Sequence, residues 1–278
     1  MKRFCFEQLL LAILGVLMVT GTSAHAFVCL QINGHCARWA QGGATLHSFL
    51  GNPGTPLING TLSWDQNAVN AANDWNAEGA AFHFDVVVGG SFITPCGAQG
   101  AGHACPNTGP VGDNPVFFAD NFCGVGFGDI IELTNNCANS SNGSMLNAPV
   151  FVNSTVSWNA YDGAIRVVNN QVINDIRRVL VHEFGHVLGL NHPDTNGQMV
   201  FAIMNSRESS IDRLQPDDIS GLFSLYPNSA PSGGGATNTG CAVAEHSASM
   251  GAWILLVPAL LLPLRLRRRA NSQARQPH

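Results

Sequence analysis

Lysine is what this sequence most lacks. Over residues 27–227 there is none, and six Arg stand against sixteen Asp or Glu, a formal charge of −10. Such a surface repels polyanions, which argues against nucleic acid as a partner. Charge of either sign is scarce: Asp, Glu, Lys and Arg make up 11% of the chain, so Asn, Gly, Ser and Thr must supply most of the polar surface. No CxxC pair occurs among the eight cysteines, which removes the usual spacing of a cysteine-held zinc. No internal repeat is present, which excludes a solenoid or a propeller. The apolar run near the start is also too short for a membrane span: residues 9–19 fall short of the roughly 20 residues that a bilayer requires. With its basic beginning and an Ala24-His25-Ala26 exit, the segment 1–26 reads instead as a cleaved secretory signal.

Against this sparse background one stretch is dense in chemistry: HEFGHVLGLNH, with His182, Glu183, His186 and His192. On a helix, His182 and His186 are four apart and share a face, close enough to hold one ion. Gly189 can take the left-handed conformation that ends a helix, so the chain can turn and bring His192 back to the same ion. Three neutral imidazoles with one open position describe a catalytic zinc rather than a closed structural one. Glu183, adjacent to the first ligand, is placed to take a proton from a water at the open position and pass it to a leaving amine. A lone HExxH can also be a solvated helix face. Here the window 179–190 is otherwise apolar, and that alternative would bury two histidines and a glutamate without partners, which is costly.

This run fits HExxHxxGxxH and so resembles the metzincin metallopeptidases, while Ile203-Met204-Asn205 looks like their Met-turn, the methionine beneath the zinc. LQPDDISGLFSLYP is similar to the closing helix of matrixin-like catalytic domains, and LSWDQNAVNAANDWN to their first long helix. The resemblance implies an α+β metzincin-type zincin: a twisted mixed sheet over an active-site helix, with a small C-terminal subdomain after the third zinc histidine. It implies an exported zinc endopeptidase acting on a peptide or protein substrate, with Glu183 as general base and acid, Met204 and Gly189 as structural support, and substrate added to an edge strand. Two rivals share the site: a zinc-binding adhesion module without turnover, and an amidase cutting non-protein amides. Pro193 follows the third histidine, as in serralysin-like members, and no tyrosine follows Met204 where some families add a ligand. Nor is there a PRCGxPD-like cysteine switch, so Cys36 reads as a disulfide partner.

Export fits the cysteines. Cys29, Cys36, Cys96, Cys105, Cys123 and Cys137 form an even set over residues 27–227, and pairing of sequence neighbours gives 29 with 36, 96 with 105 and 123 with 137. Strands are expected at 43–50, 82–88, 115–120 and 149–155, with a helix from Ser63 or Asp65 to about Glu78 that buries Ala68, Val69, Ala72 and Trp75. The stretch 172–190 reads as the active-site helix, starting near Asn174 or Asp175, with Arg177 and Arg178 on its solvated side. Asp113, Asp120, Asp129 and Glu132 are candidate calcium ligands, with solvated loop acids as the alternative.

Composition changes abruptly after residue 227. Residues 228–240 read as a flexible linker, and 241–278 as a tail: an uncharged stretch at 247–264, then Arg265, Arg267, Arg268 and Arg269. Gly240-Cys241, the apolar segment and the Arg-rich end resemble the C-terminal sorting tails of Gram-negative bacteria. They imply a transient membrane anchor cut near Gly240 and Cys241 and an enzyme displayed on the surface or released. A permanent anchor is the alternative.

Overall fold

Trp39, Trp75 and Tyr226, none of them more than 4% exposed, hold the architecture together by reaching for the backbone of one helix. In the computed structural model, which describes residues 27–92, 94–96 and 113–228, that helix is the segment read as catalytic. The expected signal, Cys105, the linker beyond Asn228, Gly240, Cys241 and the tail lie outside the described residues.

The chain begins with three two-residue strands, β1 (Val28–Cys29), β2 (Gln31–Ile32) and β3 (His35–Cys36), followed by β4 (Gly43–Ser48). The first helix, α1 (Trp64–Asn76), leads to β5 (His83–Val88) and β6 (Asp113–Ala119). Short strands follow: β7 (Glu132–Thr134), β8 (Cys137–Ala138), β9 (Met145–Asn147), β10 (Val150–Asn153), β11 (Trp158–Asn159), β12 (Arg166–Val168) and β13 (Gln171–Asp175). Then come α2 (Ile176–Leu188), β14 (Leu190–Asn191) and α3 (Pro216–Leu225). The main sheet has the order β5-β4-β6-β10-β7. Its first four strands run parallel, and β7 pairs antiparallel with β10 at the edge. The expected α+β arrangement of a mixed sheet with helices is therefore what the chain adopts.

Ser63, not Asp65, caps α1, accepting from Gln66 N. Asp65 turns back instead and accepts from Ser48 Oγ at 2.5 Å, Leu50 N at 3.0 Å and Gly51 N at 3.1 Å, fixing the connection out of β4. The apolar stripe Ala68, Ala71, Ala72 and Trp75 is buried, and Trp75 Nε1 donates to Val181 O of α2 at 2.9 Å. The last carbonyls of α2 lack helical donors. Trp39 Nε1 donates to Val187 O at 2.8 Å and Tyr226 Oη to Leu188 O at 2.7 Å, so two aromatic side chains finish the helix. At Gly189 the backbone has φ +103°, and a Cβ there would stand 2.1 Å from Ala37 O. Only glycine fits.

Several expectations are corrected. The active-site helix starts at Ile176, with Asp175 as its cap. Residues 172–174 belong to β13, which pairs with β12 across a two-residue turn whose Asn169 and Asn170 have φ of 49° and 61°. That left-handed Asn pair makes a hairpin and overrides the helical reading. Cys29 bonds Cys36 as expected, but Cys96 bonds Cys123 rather than Cys105. Cys137 is disulfide-bonded as well, so 123 with 137 is excluded. Nearest-neighbour pairing failed because the fold brings Cys96 and Cys123 to a Cα separation of 5.2 Å, within disulfide reach. Val69 is half-buried rather than core. Among the described residues no helix is long and apolar enough to cross a membrane.

One pairing links the first strand to the turn after α2. β1 runs antiparallel to β14, Val28 opposite Asn191 and Cys29 opposite Leu190, and Leu30 N donates to Gly189 O at 2.7 Å.

Candidate metal centre

The face of α2 that carries His182 and His186 opens onto a cleft of about 850 Å³ bounded above by β7. One helical turn separates the two imidazoles, and their Nε2 atoms lie 3.1 Å apart. The αL turn at Gly189 and the short β14 bring in His192, whose Nε2 is 3.1 Å from that of His182 and 2.9 Å from that of His186. His182 Nδ1 lies 2.7 Å from Ile203 O, and His186 Nδ1 lies 2.9 Å from Leu190 O. A carbonyl can only accept, so each of these Nδ1 atoms carries the proton, and each Nε2 presents a lone pair. Lone pairs converging within 3.1 Å of one another repel unless a cation lies among them. The donor set therefore fits zinc: three neutral imidazoles, two of them oriented by backbone carbonyls. Burial, reinforced by the neighbouring histidines, pushes His186 well below the usual imidazole range, and burial with His182 brings His192 down to about 4. Both are thus held in the neutral form that binds metal.

Met204 packs under this centre. Gly185, inside the HExxH run, leaves the room: a Cβ there would meet Met204 Sδ at 2.2 Å and Trp75 Cζ2 at 3.1 Å. Asp218, in the first turn of α3, fixes the turn around Met204 by accepting from Ile203 N at 2.9 Å, Met204 N at 3.2 Å and Gln215 N at 2.8 Å. Burial raises the Asp218 carboxyl, and these amides act against that rise. The closing helix therefore reaches the metal centre through one carboxylate, a role that sequence reasoning missed. The signal was Pro216 followed by Asp217 and Asp218 at a helix start.

Glu183 is 5% exposed, and its Oε2 accepts from Thr134 Oγ1 of β7 at 2.6 Å. Burial raises its carboxyl, while His182 and the Thr134 bond pull it back down. Thr134 too escaped the sequence reading. Arg178, expected on the solvated side, is 2% exposed in its side chain. It donates to Ser209 O at 2.9 Å and to Gly163 O, and it faces Asp175 and Glu208. Its position four before His182 gives the reason, since that spacing puts it on the same helix face, toward the cleft. Arg177 is mostly buried as well, bonded to Asp74 at 2.8 and 2.7 Å.

Both tyrosines are committed elsewhere, Tyr226 to Leu188 O and Tyr161 to Ile173 O. Among the described residues the three histidines are the only group of metal-ligating side chains close enough to share an ion. Asp120, Asp129 and Glu132 do not form such a group.

The sequence matches the matrixin family over residues 50–227. This chain belongs to the matrixin family. It is similar to the metalloendoproteinase 5-MMP of Arabidopsis thaliana, 30% identical over 82 residues, which cover 29% of this chain and 22% of the relative. It is also similar to the metalloendoproteinase 1-MMP of the same plant, 34% identical over 61 residues, 22% of this chain and 16% of the relative. The chain thus spans about a fifth of the length of the curated relatives that it matches. The conserved chemistry of a matrixin, zinc on a histidine triad, coincides with the convergence of His182, His186 and His192.

Proposed function

We propose that this matrixin is an exported zinc endopeptidase in which His182, His186 and His192 hold the metal, Glu183 moves the proton and Met204 supports the centre from below. The observation that carries the reading is the convergence of three Nε2 atoms within 3.1 Å, with the buried Glu183 carboxylate beside them in an open cleft. Zinc, when bound, would supply Lewis-acid polarisation of the scissile carbonyl and activation of water. The protein does the rest. β7 lies at the sheet edge, and its free side can take the substrate as a further extended strand, main chain to main chain. Glu183 accepts a proton from the attacking water and delivers it to the leaving nitrogen. Thr134 keeps Oε2 fixed by its 2.6 Å bond, leaving Oε1 for that transfer.

Export, and a tail cut near Gly240 and Cys241 that anchors the enzyme transiently in a bacterial envelope, are part of the proposal. They are supported by the sequence of 1–26 and 241–278 and by the disulfides, which belong to an oxidising compartment.

The deciding experiment compares the parent with Glu183→Ala in metal content and peptide cleavage. The parent should hold about one zinc per chain, and the variant should keep zinc and fold while turnover drops roughly 10²–10⁴-fold. Equal turnover in the two proteins, or full activity after zinc removal, would sink the reading. Substrate binding by the parent without cleavage would favour the adhesion module.

A further inference from the structure

One buried ionisable group in the cleft takes no part in the mechanism above. Glu132, the first residue of β7, is 5% exposed, and neither of its carboxylate oxygens has a hydrogen-bond partner. It lines the same cleft as His182 and Glu183. Strand alternation places it on the face of β7 that carries Thr134, about 7 Å along the strand. Leu133, between them, packs with Phe151. Glu132 therefore looks into the cleft one side-chain step from the Thr134 to Glu183 bond.

Among the described residues no cation pairs with it. Arg178, which lines the cleft, spends its guanidinium on Ser209 O, Gly163 O, Asp175 and Glu208. The lining near β7 is mixed, with Ile131, Val156 and Val179 beside the uncharged polar Asn136 and Asn174 and the acid Asp129. Asp129, Glu183 and Glu208 and the arginines Arg178 and Arg207 line the same space. Burial pushes the Glu132 carboxyl well above its ordinary range, and the charge of Glu183 adds to the rise. A buried carboxylate without donors is costly to keep unless something brings them.

A substrate strand laid on the free edge of β7 sends alternate side chains toward the cleft. We propose that Glu132 selects a basic side chain, arginine or lysine, next to the bond being cut: its two vacant oxygens receive the guanidinium or ammonium group of the substrate. Arginine suits the site best, since its planar fork can serve both oxygens at once. The proposal rests on the peptidase reading.

The test uses the zinc-loaded full chain and a random peptide library, followed by matched peptides with arginine or its neutral isostere citrulline at the preferred position. The parent should enrich arginine and lysine at one position flanking the cut. Its kcat/KM should fall roughly 10–100-fold on citrulline, the range for losing a hydrogen bond to a charged group. In Glu132→Gln the ratio of arginine to citrulline should collapse toward one. Glu132→Met, with an apolar chain of similar length among Ile131, Val156 and Val179, supplies the same reading should the glutamine variant fold poorly. Cleavage by the parent without basic preference, or an unchanged ratio in either variant, overturns the assignment of Glu132 while the peptidase reading stands. No cleavage beyond that of Glu183→Ala overturns both.

Discussion

The wall of the cleft built from α2 and the turn around Met204 keeps the groups nearest the metal occupied, whereas the wall built from β7 leaves a carboxylate open. Below, the Nδ1 atoms of His182 and His186 face backbone carbonyls, and Asp218 takes three backbone amides. Above, Thr134 is engaged with Glu183, but Glu132 is buried without a partner. A metal centre needs donors held in one geometry, and two of the three histidines are held through their Nδ1 atoms. A substrate wall has to keep some capacity for partners that arrive from outside, and unspent hydrogen-bonding capacity is what that looks like in the free protein.

Removing a donor from the lower wall should produce the largest effect. His186→Ala leaves two imidazoles, and metal analysis alongside peptide cleavage should show zinc lost and turnover at background. Retained zinc with measurable activity would mean that the lower wall is less committed than its bonding indicates. On the upper wall, Thr134→Val removes the 2.6 Å bond to Glu183 but touches no ligand. Zinc should stay, and kcat should fall about 10-fold, the cost of one hydrogen bond to a charged group. That bond holds the Glu183 carboxyl down against burial, so its loss raises the group further. A base must be ionised, and the acid limb of the pH profile should therefore move to higher pH in the variant. An unmoved limb would separate Thr134 from the base.

The smallest effect belongs to the foot of α2, seven residues before His182. Burial raises Asp175 to about 6, above its ordinary 3.8, with bonds from Tyr161 N and Arg177 N and the charge of Arg178 acting against the rise. A raised folded-state value means that the folded chain holds a proton that the unfolded chain has released. The stability tied to it is therefore full below about 3.8 and is lost as pH rises through about 6. Asp175→Asn, which keeps the cap and cannot ionise, should gain melting temperature relative to the parent by about 5 °C between pH 4 and pH 7. A constant difference across that range would show that Asp175 titrates normally.

Much of the lower wall was legible because its requirements are local. His182, Glu183, His186, Gly189 and His192 lie within one helix and the turn after it, where spacing alone dictates which side chains meet. Arg178 could have been placed by the same spacing rule, and reading it as solvated treated charge as stronger evidence than helix phase. The upper wall was not legible. Thr134 and Glu132 reach α2 only through the register of β7 on β10, and no feature of a three-residue strand announces that pairing. The disulfides divide the same way. Cys29 and Cys36 flank a local hairpin and were paired correctly, whereas Cys96 finds Cys123 across β6. Gly185 was passed over for another reason: its role is set by the thioether of Met204 beneath it, so the glycine means little until the distant methionine is in place.

The pairing of β1 with β14 also imposes an order of events. A chain emerging N-terminus first exposes Val28 and Cys29 early, yet their partners Asn191 and Leu190 come only after almost the whole domain has been made. Contacts so far apart in sequence pay their full loop-closure entropy before they return any stability, and they form late. β14 leads straight into His192. The placing of His192 is therefore tied to the docking of the first strand on the turn that follows α2.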